Sequence, residues 1–235
     1  MGDFVCWSNV DITQHKSEFE SLFQIQEELT KRLQLPEIQE PIDLYIYEDQ
    51  SVWQHFLKTE HPDQPYRDAF FIKKSTVFRG EKSRYRVYLY LSPKFGDDLR
   101  HEGTHAILNA SLRRNLPTWL DEGLAEYYEK RSDRTQNESW LPLVQRRMKS
   151  REFKELKKLE KVTGVISEEH YGDSWAWVCF LLNGPRQVQA ILPEYIADLS
   201  ARKLFLSSVS SRLDKIGITQ KHCQGFFQQL NRFEE

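Results

Sequence analysis

Apolar positions recur at helical spacing early in the chain. In "SEFESLFQIQEELTKRLQL", Phe19, Leu22, Phe23, Ile25, Leu29 and Leu33 follow the period of an amphipathic helix, and Pro36 ends it. The pattern then shortens. "PIDLYIYED" alternates well enough to predict a strand over 42–47. "QSVWQHFLK" returns to helical spacing, and 60–68, with Pro62 and Pro65, reads as loop. A hairpin is expected next: "TVFRG", a turn at Gly80-Glu81-Lys82-Ser83, then "RYRVYLYL". In that second strand Tyr85, Val87, Leu89 and Leu91 share one face, while Arg84, Arg86, Tyr88 and Tyr90 share the other. One face is expected in the core, the other accessible. The remaining pattern predicts helices at about 97–112, 118–131, 141–149, 151–161, 171–183, 185–199 and 218–231. Strands early and helices late imply an α+β fold. We expect one domain over 1–235, with a small mixed sheet in about 1–95 and a mainly helical part in about 96–235.

Composition narrows the possible functions. Lys and Arg total 33 against 35 Asp and Glu, so no basic field argues for nucleic acid or an anionic surface. The hydrophobic fraction of 39% suffices for a substantial core. The three cysteines, Cys6, Cys179 and Cys223, are odd in number and far apart, which argues against a disulfide framework. No basic-then-apolar leader opens the chain, and no apolar run reaches the roughly eighteen residues of a membrane span. A soluble, cytoplasmic chain without a membrane segment is the expectation, unless a leader has been removed. No G-x-S-x-G occurs, and no phosphate-cradling glycine loop.

The stretch "DDLRHEGTHAILNA" carries the chemistry. Asp97 or Asp98 can cap a helix here. Four residues make slightly more than one turn, so His101 and His105 project from one face and can meet one zinc ion. Glu102 is turned about 100° away and would act on water beside the metal. The opposite stripe, Leu99, Gly103, Ala106 and Ala110, is mostly small and suits close packing on a neighbour. Downstream, "LPTWLDEGLAEYYEKR" offers a capping box at Thr118 and Asp121. Leu116-Pro117 would turn the chain so that the two helices pack antiparallel and Glu122 faces the histidines. Two histidines and a glutamate with one open position form a catalytic zinc set. Glu126, one turn on, could accept the other ring N–H of a ligand histidine.

Together "HEGTH" and "WLDEGLAEYYE" resemble the gluzincin clan of zinc metallopeptidases, most closely its small bacterial peptidase-MA-like members. "YGDSWAWVCFLL" resembles a later helix of that pattern, and the likeness covers roughly 42–183. The resemblance implies one zinc per chain on His101, His105 and Glu122, with Glu102 as general base. It also implies a peptide or protein substrate lying along strand 84–91 as an edge strand of the sheet, beside the histidine helix. The gap from His105 to Glu122 is shorter than in the best-known aminopeptidases of the clan, and their Gly-x-Met-x-Asn segment is absent.

The expected function is therefore peptide hydrolysis. Zinc would lower the pKa of bound water toward about 7 and polarise the scissile carbonyl. Glu102 would take the water's proton and pass it to the leaving amine. Tyr171 is the candidate donor to the oxyanion, with His170 as reserve. The rival readings are a catalytically inactive zinc-binding scaffold that acts in protein interaction, and a helical protein with no metal. Glu102 favours the enzyme, because a scaffold has no chemical need for it.

Overall fold

The computed structural model describes residues 3–63, 65–74, 84–131, 133–164 and 166–230. The fold is α+β, with a four-stranded mixed sheet among the described residues. The chain forms two compact units. One comprises residues 1–30 and 36–114, the other 31–35 and 115–235. The histidine helix therefore belongs with the sheet unit.

The sheet unit contains β1 (Phe4–Ser8), α1 (Lys16–Leu33, its last turn counted with the other unit), β2 (Ile42–Tyr47), α2 (Gln50–Glu60), β3 (Ala69–Lys74), β4 (Arg84–Tyr90) and α3 (Phe95–Leu112). The strand order is β1-β2-β4-β3. The β1–β2 and β2–β4 pairs are parallel and β3–β4 is antiparallel. Three expectations need correction. The strand at 84–91 is not an edge: β4 is paired on both sides, and the edges are β1 and β3. Its hairpin partner is Ala69–Lys74, upstream of "TVFRG", which lies with its turn outside the described residues. The face expected to stay accessible is largely covered. Tyr88 and Tyr90 join Trp53 and Leu57 of α2 and Phe70 of β3 in a buried cluster. A tyrosine ring buries its large apolar body even in a position that alternation marks as outward.

The other face of the sheet carries Ile42, Leu44, Ile46, Tyr85, Val87 and Leu89, all buried, and α3 lies against β2, β3 and β4. Helix α3 begins at Phe95, earlier than expected. Its N-cap is Lys94, and no side chain caps it. Asp97 instead accepts from Arg100 at 2.5 Å, and Asp98 accepts from Ser92 Oγ at 3.3 Å. Arg113, with φ 53°, closes the helix in the left-handed region and donates its N–H to the Asn109 carbonyl. The small stripe functions as expected at Gly103. A β-carbon there would run into Leu22 Cδ1 of α1.

The helical unit contains α4 (Thr118–Glu129), α5 (Leu141–Lys149), α6 (Leu156–Leu159), α7 (Glu168–Asn183), α8 (Arg186–Gln189), α9 (Ile191–Ser200), α10 (Val209–Lys215) and α11 (Gln220–Leu230). Helix α7 is the hub, buried from Gly172 to Leu182 and packed against α4, α5 and α11. A β-carbon on Gly123 of α4 would lie 2.7 Å from the Ser174 carbonyl oxygen and 2.8 Å from Val178 Cγ2. The helix expected over 151–161 shrinks to α6 because its backbone is used elsewhere. The Lys154 N–H goes to Asp173, and the Phe153 and Lys154 carbonyls accept from Gln220 and Trp177. The run 185–199 breaks at Ala190, which leaves Pro193 in a first turn, where its missing N–H costs little. Among the described residues no helix is long and apolar enough to cross a membrane.

The two helical glycines predict different tolerances. Gly103→Ala gains helix propensity of about 1 kcal/mol and meets only the end of a leucine side chain, so its stability should change by less than ~1 kcal/mol. Gly123→Ala meets backbone, and overpacking of that kind should cost about 1–3 kcal/mol. Denaturant titration of the two variants checks the ranking.

Candidate metal centre

The histidine pair is held by a helix with little freedom. Arg100, 4% exposed, donates to Glu18 of α1 at 2.7 Å and to Asp97 at 2.5 Å, which ties α3 to α1. Thr104 Oγ1 donates to the Arg100 carbonyl, and Asn109 Nδ2 donates to the His105 carbonyl at 2.9 Å. With Leu99, Gly103, Ala106, Ile107 and Ala110 buried, the helix cannot rotate without exposing apolar surface.

His101 is half-buried and His105 is buried. Their rings meet edge to face, with centroids 5.0 Å apart and an interplanar angle of 74°. A nitrogen of one ring lies within 4.8 Å of a nitrogen of the other. Imidazole nitrogens are among the ligand types that zinc takes, at about 2.0–2.1 Å. The donor set therefore suits a borderline-soft divalent metal. Glu102, half-buried, is the next residue on the same helix.

The carboxylates expected to complete the site are on α4 in the helical unit. The Leu116-Pro117 turn is followed by a helix that starts at Thr118 with Pro117 as N-cap. No side-chain cap forms, so the expected Thr118–Asp121 capping box is absent. The Pro117 carbonyl instead accepts from the Leu120 and Asp121 N–H groups. Leu120, Leu124, Tyr127 and Tyr128 are buried, while Glu122 is half-buried. Glu126 is only 7% exposed, and one of its oxygens, Oε2, accepts from Trp140 Nε1 at 2.6 Å. A carboxylate oxygen of Glu129 lies within 4.8 Å of one of Glu126.

Trp140 is a residue that sequence reading missed. Its indole N–H holds Glu126, and its ring stacks on Tyr171 with centroids 6.5 Å apart and planes 14° from parallel. Trp140 thus links the two side chains expected around the metal and the oxyanion. The only sequence signal was a tryptophan just before the Leu141-Pro142 start of α5. Tyr171 is half-buried near the start of α7. His170 has a structural task. Its Nδ1 accepts from the Ser167 backbone N–H at 3.3 Å and lies 2.8 Å from Ser167 Oγ, forming a capping box. Burial and then the charge of Lys154 hold this imidazole below its ordinary pKa, in keeping with a ring nitrogen that accepts.

The start of α7 is anchored by an ion pair that sequence reading also missed. Arg147 of α5 donates to Asp173 through Nε at 3.0 Å and Nη2 at 2.9 Å, and the Lys154 N–H adds a third bond. Asp173 is 0% exposed. The fork geometry fixes both residues, and with them the turn that carries Tyr171.

No protein-family model matches the chain, and no curated protein matches it.

Removing one member of the buried pair strands the other. Asp173→Asn keeps the volume but leaves the Arg147 guanidinium without its counter-charge, so chemical denaturation should show a loss of about 3–5 kcal/mol. An unchanged midpoint would mean that water reaches Arg147.

Proposed function

We propose that this protein is a zinc-dependent peptidase in which His101, His105 and Glu122 hold one zinc ion and Glu102 is the general base. The observation that carries the reading is the imidazole pair, nitrogens within 4.8 Å, on a helix fixed by burial and by Arg100. The gluzincin-like "HEGTH" and "WLDEGLAEYYE" segments support it from the sequence. The ligand set leaves one coordination position open, as catalytic zinc sites do.

When bound, zinc supplies a Lewis acid that polarises the scissile carbonyl and makes water acidic enough to react near neutral pH. Glu102 takes the water's proton and delivers it to the leaving nitrogen, so amine departs instead of amide anion. Tyr171 donates to the oxyanion, and its stacking on Trp140 limits its motion. Glu126, held by Trp140, orients a ligand imidazole. The substrate is an extended peptide or protein segment. With β4 enclosed between β2 and β3, the main-chain groups for such a segment come from edge strand β3. The near-neutral charge balance suits a soluble protein that acts on peptides and not on nucleic acid.

A peptide-library digest tests this reading. Glu102→Gln should retain the metal and the fold yet lose hydrolysis by about 10²–10⁴-fold, since an amide cannot take the proton. In the same assay Tyr171→Phe should lower kcat by about 10²–10³ with KM nearly unchanged. A wild-type protein that binds zinc and cleaves nothing in the library would instead favour an inactive scaffold.

A further inference from the structure

The two sheet edges differ in chemistry. Edge strand β3, "AFFIKK", ends in two lysines, charges that discourage pairing with another copy of the same edge while leaving its main chain open to a peptide. Edge strand β1, "FVCWS", has no charge, no proline and no bulge among its described residues. Val5 is 39% exposed, Trp7 53%, and Phe23, which packs on Phe4, 40%. These three are among the few large apolar side chains that the described residues expose, and they flank β1 on both faces of the sheet. Trp7 is ordered despite its exposure, stacked on Tyr45 and donating to Asp43 at 3.0 Å.

The hydrogen-bonding direction of β1 follows from one bond. The Ile42 N–H donates to the Asp3 carbonyl, so Asp3, Val5 and Trp7 turn their main-chain groups toward β2. By alternation, the N–H and C=O groups of Phe4, Cys6 and Ser8 point out of the sheet. Among the described residues, no strand meets them.

We propose that β1 pairs with β1 of a second copy of this chain, antiparallel across a two-fold axis at Cys6. This register alone uses all three outward residues: Cys6 faces Cys6 of the partner copy, and Phe4 faces Ser8. On the outer face it sets Val5 opposite Trp7, a favourable pairing of a β-branched with an aromatic side chain. No charge opposes a like charge, because Asp3 falls opposite Asn9. The contact is self-complementary, as a two-fold interface requires. The result is a continuous eight-stranded sheet.

Sedimentation velocity on the full chain across the micromolar range tests the proposal. A dimer is expected, and Val5→Lys, which places two cations beside the axis, should weaken it by on the order of tenfold or more. Circular dichroism should show that this exposed substitution leaves the fold intact. A short thiol-to-thiol bismaleimide gives the second readout. Cys179 and Cys223 are buried, so only the exposed Cys6 can cross-link native chains. The dimer should become covalent, and Cys6→Ser should abolish the link while leaving the dimer in place. A wild-type monomer throughout the range would overturn the proposal. So would a dimer that Val5→Lys leaves unchanged, or one lost on replacing the exposed Leu204 and Phe205 with serine.

Discussion

Helix α3 has to hold two imidazoles on one side while the rest of its surface leaves water. That requirement is met by burial on the sheet and by the missing side chain at Gly103, which lets Leu22 of α1 close against the helix. Arg100 adds a polar tie to Glu18 that helical packing alone would not supply. Each contact removes a way for the histidines to turn away from one another. Rigid placement of this kind is what a metal site needs, since errors of a few tenths of an ångström separate ligands from bystanders.

The helical unit solves the same problem differently. Gly123 brings α4 onto the α7 backbone, and the Arg147–Asp173 fork sets where α7 begins. Trp140 then spans Glu126 and Tyr171. The Arg147–Asp173 fork is buried and geometrically specific, which favours a single arrangement of side chains over raw stability. In the proposed enzyme, these contacts keep a metal-orienting carboxylate and an oxyanion donor in register.

Much of this was legible in the sequence where one local rule dominated. The 42–47 strand follows from alternation, because every second residue is buried. The histidine helix and α4 follow from an unbroken run of helix-compatible residues between proline and turn signals, although both end up buried nearly all round. Legibility failed where long-range partners decide the outcome. "FVCWS" and "AFFIKK" are too short and too weakly alternating to announce strands, and only pairing with β2 and β4 makes them so. Tyr88 and Tyr90 alternate outward, yet the aromatic face of α2 covers them. Both expected caps fail, since Pro117 and Lys94 stand at the N-caps without side-chain bonds. Helix α10 escapes notice because "VSSRLDK" has two turns and a serine-rich start. Trp140, Arg147 and Asp173 are ordinary letters until the fold assembles them.

The central claim is that His101, His105 and Glu122 share one zinc ion, with Glu126 outside the coordination sphere. Metal analysis of the purified protein by plasma mass spectrometry tests it most directly, with wild type beside His101→Ala, Glu122→Ala and Glu126→Ala. The account predicts about one zinc per chain in wild type, since three protein ligands and an open position make a complete catalytic site. It predicts loss in His101→Ala and Glu122→Ala, with much of the metal retained in Glu126→Ala. Zinc at wild-type occupancy in His101→Ala, or absent from wild type after dialysis against excess zinc, would contradict it.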